Sequence, residues 1–369
     1  MRRISFLLLL SCIIVILVGC NSADYKSYEP KQFQYGKVVQ IEAEVGYRLK
    51  IMDDKIYLVS PEYSLDDSKG QVEFREVNNS LNLSKSQFLE LTNIESSTIS
   101  LSSFSDNSNP SGALSVFNPH EEIGIVANSE KYIPISQSIK NEKGEYIETG
   151  TFSNDENVIM FYNQEDEKNT LTYWNKKGKM NKEILLNNII EDKQISVDDM
   201  AVFHDDIYIY SYKSQKIYII SQNLELIDTL EIGDGLKNIP PEKWGSSVQF
   251  VLQRELGELF LYNSDKPEQG FYRISDTGLE RLEYGQAKYK NKFILANGNF
   301  YDLYKERVIS NNNDEVKQMV LNTDGNYYFT TSKDLSDPKK KVDEKNIYLT
   351  KINKKSLPAY IEELNEKNN

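Results

Sequence analysis

Two histidines are the residues here best suited to carry a proton or a metal near neutral pH. His204 closes an apolar run and stands directly before Asp205 and Asp206, so an imidazole and two carboxylates share one turn. That grouping could act as a general base or a ligand set; the plainer reading is a strand end in a polar turn. His120 follows Asn118-Pro119, a turn signal. With two histidines, a three-histidine metal centre is excluded on one chain. Acidic turns recur at Asp53-Asp54, Asp66-Asp67, Glu165-Asp166-Glu167, Asp198-Asp199 and Asp205-Asp206. Calcium needs oxygens converging from a bent loop, and none of these has the alternating Asp-x-Asp-x-Asp-Gly spacing. Gly233-Asp234-Gly235 and Asn311 to Asp314 offer one or two oxygens each. Hairpin turns favour Asp and Asn in any case. No Gly-rich phosphate loop and no Gly-x-Ser-x-Gly turn is present. The chain therefore suggests no cofactor, no resident metal and no assigned catalytic residue.

Binding is better represented than catalysis. Tyrosine is abundant, 24 residues against 15 Phe and 2 Trp. It packs its ring while its hydroxyl stays wet, as at interfaces. Ile239-Pro240-Pro241-Glu242-Lys243-Trp244-Gly245 places an aromatic beside paired prolines, which stiffen a loop and lower the ordering cost of a contact. Its plainer reading is a connection whose Trp244 plugs the core. Trp244, Tyr208, His204 and Asp206 are the candidate ligand-binding residues.

The elements that must position them read as strands. From Gly36 onward, short runs of Ile, Val, Tyr, Phe and Leu alternate with polar residues, separated by Asn, Asp, Ser, Gly and Lys. Met200–Ile232 holds four such runs with tight turns: 200–204, 207–212, 216–220 and 226–232. The pattern recurs at 158–186 and 258–284, opens at 55–74 and closes at 326–349. Steps of about 40–50 residues match four-stranded blades. Over residues 36–353 the chain resembles β-propeller proteins, without Trp-Asp or kelch signatures. The expected fold is all-β: about seven four-stranded blades, with six close behind, and weakest matches around 97–138 and 286–311. Gly36–Val45 is an orphan strand, and the last repeat lacks its outer strand, so the N-terminal strand is expected to seal the ring. The alternative is a pair of β domains such as stacked sandwiches. Amphipathic helices are scarce: Glu191–Asp199 and Leu357–Glu366 are the candidates, the latter in a C-terminal tail or cap at 354–369.

The N-terminus supplies an address. Arg2 and Arg3 precede an apolar run from Ile4 to Val18, the layout of a secretory signal peptide and short of a membrane span. The run ends Leu17-Val18-Gly19-Cys20, which closely resembles the lipobox of bacterial prolipoproteins. The resemblance implies removal of residues 1–19, diacylglycerol on the Cys20 thiol and a place on the outer face of the cell membrane. Cys12 then leaves with the signal, and no free thiol remains. Residues 20–35 lack apolar periodicity and read as a tether. The formal charge is −13, two units more negative without Arg2 and Arg3. That argues against nucleic acid and against a polybasic membrane patch. The expected function is a lipid-anchored extracytoplasmic module that binds or scaffolds an envelope protein, peptide or glycan. The alternatives are a carboxylate-dependent enzyme on glycan or peptide, and a transporter's solute-binding lipoprotein, which the scarcity of helices disfavours.

Overall fold

The computed structural model describes residues 28–368, apart from 43–46, 53–54, 63–69, 93–99, 103–113, 118–122, 135–144, 155, 164–167, 176, 178, 193–194, 233–247, 254, 264–269, 276, 297, 311–315, 333 and 337–345. Two strands come first, β1 (Lys31–Phe33) and β2 (Gly36–Glu42). Four-stranded antiparallel sheets follow in chain order. Blade 1 is β3 (Arg48–Met52), β4 (Lys55–Glu62), β5 (Gly70–Val77) and β6 (Gln87–Leu91). Blade 2 is β7 (Ser100–Ser102), β8 (Leu114–Phe117), β9 (Ile123–Asn128) and β10 (Lys131–Pro134). Blade 3 is β11 (Glu145–Thr151), β12 (Asn157–Asn163), β13 (Lys168–Trp174) and β14 (Met180–Leu185). Blade 4 is β15 (Asp199–Phe203), β16 (Asp206–Ser211), β17 (Lys216–Ile220) and β18 (Leu226–Glu231). Blade 5 is β19 (Val248–Gln253), β20 (Glu258–Asn263), β21 (Phe271–Ser275) and β22 (Gly278–Arg281). A three-stranded sheet comes next, β23 (Phe293–Ala296), β24 (Asn299–Asp302) and β25 (Arg307–Ser310). The closing blade is β26 (Val316–Leu321), β27 (Asn326–Thr331) and β28 (Asn346–Asn353), completed by β2 and then β1.

This is a β-propeller of six regular blades, with the three-stranded sheet set between blade 5 and the closing blade. The N-terminal strand closes it, as the orphan run suggested: β2 pairs antiparallel with β28 from Gly36↔Ile352 to Glu42↔Asn346. A Cβ on Gly36 would sit 1.9 Å from the Lys351 carbonyl oxygen, so this end of the seal requires glycine. Pairing starts earlier than the sequence suggested. Lys31–Phe33, inside the stretch read as tether, forms β1 on the outside of β2.

The alternation along each strand explains where the core lies. In β16, Ile207 and Ile209 point into the seam with blade 3, while Tyr210 points into the seam with blade 5. The middle strands of the blades, such as β12, β17 and β20, are apolar on both faces because both faces are covered, so their apolar runs are nearly continuous. Side-chain bonds stitch successive inner strands together. Asp199 of β15 accepts from the Phe250 N–H of β19 at 2.5 Å. Gln318 of β26 accepts from the Leu49 N–H of β3 at 2.7 Å. Both join residues near the starts of their strands, so these inner strands run in phase.

The three-stranded sheet breaks that rule. Gln253, the last residue of β19, donates to the carbonyl of Phe293, the first residue of β23, at 3.1 Å. The sheet is thus entered from the opposite end, and an odd number of strands returns the chain to where β26 must begin. Its outer strand β25 lies against α1 (Leu357–Asn368). Leu357, Tyr360, Ile361 and Leu364 of α1 are buried in the seam shared with the closing blade. Glu362 accepts from Lys305 and Arg307 at 2.5 and 2.7 Å, and Glu363 from Tyr35 at 2.5 Å. The second helix expected from sequence is absent. The described part of Glu191–Asp199 is irregular, and Asp199 already belongs to β15. Ile195 is buried between blades 3 and 4 on the approach to the inner strand.

Candidate functional site

His204 and Asp205 are the two central residues of the turn joining β15 to β16. Phe203 pairs with Asp206 across it, and the turn residues have φ of 50° and 64°. A two-residue hairpin needs that left-handed backbone, which Asn, Asp and Gly tolerate best. Ser153, which follows β11 in blade 3, donates to the Asp205 carboxylate from its N–H at 2.7 Å and its hydroxyl at 2.5 Å. Those bonds, with His204 beside them, hold Asp205 below its ordinary carboxylate range. Asp206 is pushed upward, by partial burial and then by Asp205. The His204 ring stacks on Phe203 with centroids 3.9 Å apart. Tyr208 lies 6.1 Å from Phe203 and 6.5 Å from Phe250. So His204, Asp206 and Tyr208 are brought together on one hairpin, whose contacts tie blade 4 to its neighbours. Trp244, Cys20 and His120 lie outside the described residues, as do Asp53-Asp54, Asp66-Asp67 and Glu165-Asp166-Glu167. Asp198 accepts from Ser196 Oγ at 2.7 Å and from the Tyr212 N–H at 2.6 Å. Among the described residues no group of three or more His, Cys, Asp or Glu side chains could hold a metal ion, and no helix is long and apolar enough to cross a membrane.

A second constellation had no signature in the sequence. Glu255 sits in the β19–β20 turn with its side chain 2% exposed. Lys292, just before β23, and Tyr327 of β27 both donate to its carboxylate. Lys354, just after β28, lies 2.8 Å away. Burial raises the pKa of Glu255, but the bonds from Lys292, Lys354 and Tyr327 outweigh it and hold the carboxyl low. The same burial and the Glu255 charge push the Tyr327 hydroxyl upward. A group pinned in this way remains a carboxylate and serves as an anchor rather than a base. Beneath it is a cavity of about 50 Å³, room for a few waters, walled by Val251, Phe293, Leu295, Met319 and Leu321. The four charged and phenolic groups come from three sheets, so no local spacing could have announced them.

No protein-family model matches the chain, and no curated protein matches it. Among solved structures it is similar to virginiamycin B lyase from Staphylococcus aureus, at 10% identity and a TM-score of 0.46, covering 89% of this chain and 98% of that one. It is also similar to a protein from Lactobacillus plantarum, at 11% identity and 0.39, covering 87% and 94%. A third is polysaccharide lyase Uly1, at 10% identity and 0.39, covering 85% and 90%. The sheet order and the β2–β28 closure make the chain a propeller.

Proposed function

We propose that this chain is a lipid-anchored extracytoplasmic lipoprotein whose propeller binds or scaffolds an envelope protein or peptide. The observation that carries the reading is where the N-terminal chain joins the body. The Tyr28 N–H donates to the Gln40 carbonyl at 3.1 Å, so the fold takes hold eight residues after the lipobox cysteine. At about 3.5 Å per extended residue, that leaves at most roughly 28 Å between a lipidated Cys20 and the closing blade. A body held so close works at the envelope surface. Asp205 and Glu255 each bridge neighbouring sheets and are held as carboxylates, which favours a rigid platform over acid-base turnover at these two groups. The solute-binding alternative needed two lobes of alternating helices and strands, and a propeller is neither.

The test is Cys20→Ala followed by membrane fractionation. The parent is expected in the membrane fraction in a processed form, with the variant released or unprocessed. If the variant is cleaved and fractionates like the parent, the anchor is wrong.

A further inference from the structure

The outermost strand of each sheet presents a row of backbone groups to its surroundings. Proteins blunt such edges with short strands, Lys, Pro or a covering element. Most edges here follow that rule. β1 has three residues and carries Lys31; β10 has four and ends in Pro134; β22 has four and ends in Arg281. β14 carries Lys182 at its centre, and β25 lies beneath α1. β6 has five residues and one exposed apolar side chain, Phe88. β18 shares with β6 the lack of Lys, Arg and Pro, and differs from every other edge in exposing two adjacent apolar residues along six residues, Leu-Ile-Asp-Thr-Leu-Glu. Adjacent Leu226 and Ile227 are 37% and 53% exposed.

The polar groups on this edge have one sign. Glu225, Asp228 and Glu231 are all exposed. Asp228 Oδ1 accepts from the Thr229 N–H at 2.7 Å, which marks that donor as pointing away from β17 and, among the described residues, capped by a surface carboxylate. Glu231 pairs with Lys216 at 3.2 Å, a solvent-exposed contact that exchanges readily.

We infer that the outer edge of β18 is a docking edge for an extended, basic segment of a partner protein, added as a further strand. The partner's carbonyl takes the Thr229 N–H, its Lys or Arg takes the released Asp228 carboxylate, and its apolar residues cover Leu226 and Ile227. A second copy of β18 fits poorly, because pairing would set acid against acid. The position suits a membrane-bound body. Leu226 follows the β17–β18 turn, which shares an end of the propeller with the β15–β16 turn. The contacts that Tyr327 and Lys354 make to the Glu255 carboxylate place that end with the β26–β27 turn. The N-terminal chain leaves at the other end, beside Gln40.

The inference rests on the binding-module reading, and its test separates the two. In the full-length chain, in its own membranes, Ile227 is replaced by a photo-reactive residue, and in parallel chains Phe88 or Val308 is replaced. The captured segments are sequenced by mass spectrometry. The expected result is capture at 227 of a segment rich in Lys and Arg, lost at high salt and lost with Asp228→Lys. Thr229→Pro, which removes the outward donor, should abolish it too; each variant's thermal midpoint is checked against the parent. Capture of a neutral or acidic segment at 227, capture that survives Asp228→Lys, or no capture at 227 overturns the docking edge. Capture at 88 or 308 without capture at 227 leaves the binding module standing without this edge.

Discussion

Asp199 is the most exacting test of how the blades are joined. It begins β15, is 8% exposed, and accepts from the N–H groups of Met200 and Phe250 at 2.9 and 2.5 Å. Burial is the largest influence on it; those two bonds oppose burial and Asp198 adds to it, leaving the carboxyl raised from 3.8 to about 7. Across that window the native state holds a proton that the unfolded chain has lost. Stability therefore falls as pH rises from about 4 to about 7 and is flat above. A carboxyl raised that far corresponds to about 4 kcal/mol in full, of which about 3 kcal/mol fall between pH 4.5 and 8. Asp199→Asn keeps an oxygen for the Phe250 N–H and cannot ionise. Urea unfolding of parent and variant at both pH values isolates the titration, because groups not coupled to Asp199 cancel in the difference. The variant is expected to gain about 3 kcal/mol on the parent between pH 4.5 and pH 8. Its offset at pH 4.5 reports the separate cost of the added amide N–H. Parallel pH profiles would refute the reasoning, since Asp199 would then be no more protonated in the fold than out of it.

Three further outcomes follow from the closure and the Glu255 anchor. A chain beginning at Gly46 lacks β1 and β2 and is expected to lose most of the roughly 5–15 kcal/mol of a stable domain, whereas one beginning at Tyr28 should match the parent in thermal midpoint. Gly36→Ala puts a methyl group against the Lys351 carbonyl and should lower stability in urea by about 1–3 kcal/mol; no change would mean that the end of the seal frays. Glu255→Ala leaves the mostly buried Lys292 without its carboxylate and should cost about 2–4 kcal/mol, while Glu255→Gln, which keeps an acceptor, should cost less. Equal costs would show that the cluster acts through packing alone.

Blade 4 was legible almost strand by strand. The sequence runs 200–204, 207–212, 216–220 and 226–232 correspond to β15–β18 within a residue or so. Each turn between them is tight and polar, and β16 and β17 are apolar on both faces. Closure was legible for a similar reason: an orphan strand at one end matched a missing one at the other. The three-stranded sheet was not, because its reversed entry depends on which end of β19 meets β23, a contact between residues 40 apart. Nor was the role of α1. Its apolar residues showed a helix, while the edge it covers is defined by a strand that is not there. The apolar residues of 191–199 misled in the opposite sense, since a stretch crossing a seam buries residues without any helical period. At the candidate site, His204, Asp206 and Tyr208 could be grouped because they are neighbours in the chain. Glu255, Lys292, Tyr327 and Lys354 could not, because only the ring brings them together.

The closing pair also sets an order of events. Gly36 and Ile352 are partners across about 300 residues, so β2 is among the first strands to be synthesised and among the last to be satisfied. At ribosomal rates of about 5–20 residues per second, it waits roughly 15–60 s for β28 to exist at all. Through that interval the chain carries a strand of Val38, Val39 and Ile41 whose proper neighbour has not been made. Until β28 arrives, whatever accompanies the emerging chain must keep that strand from pairing elsewhere.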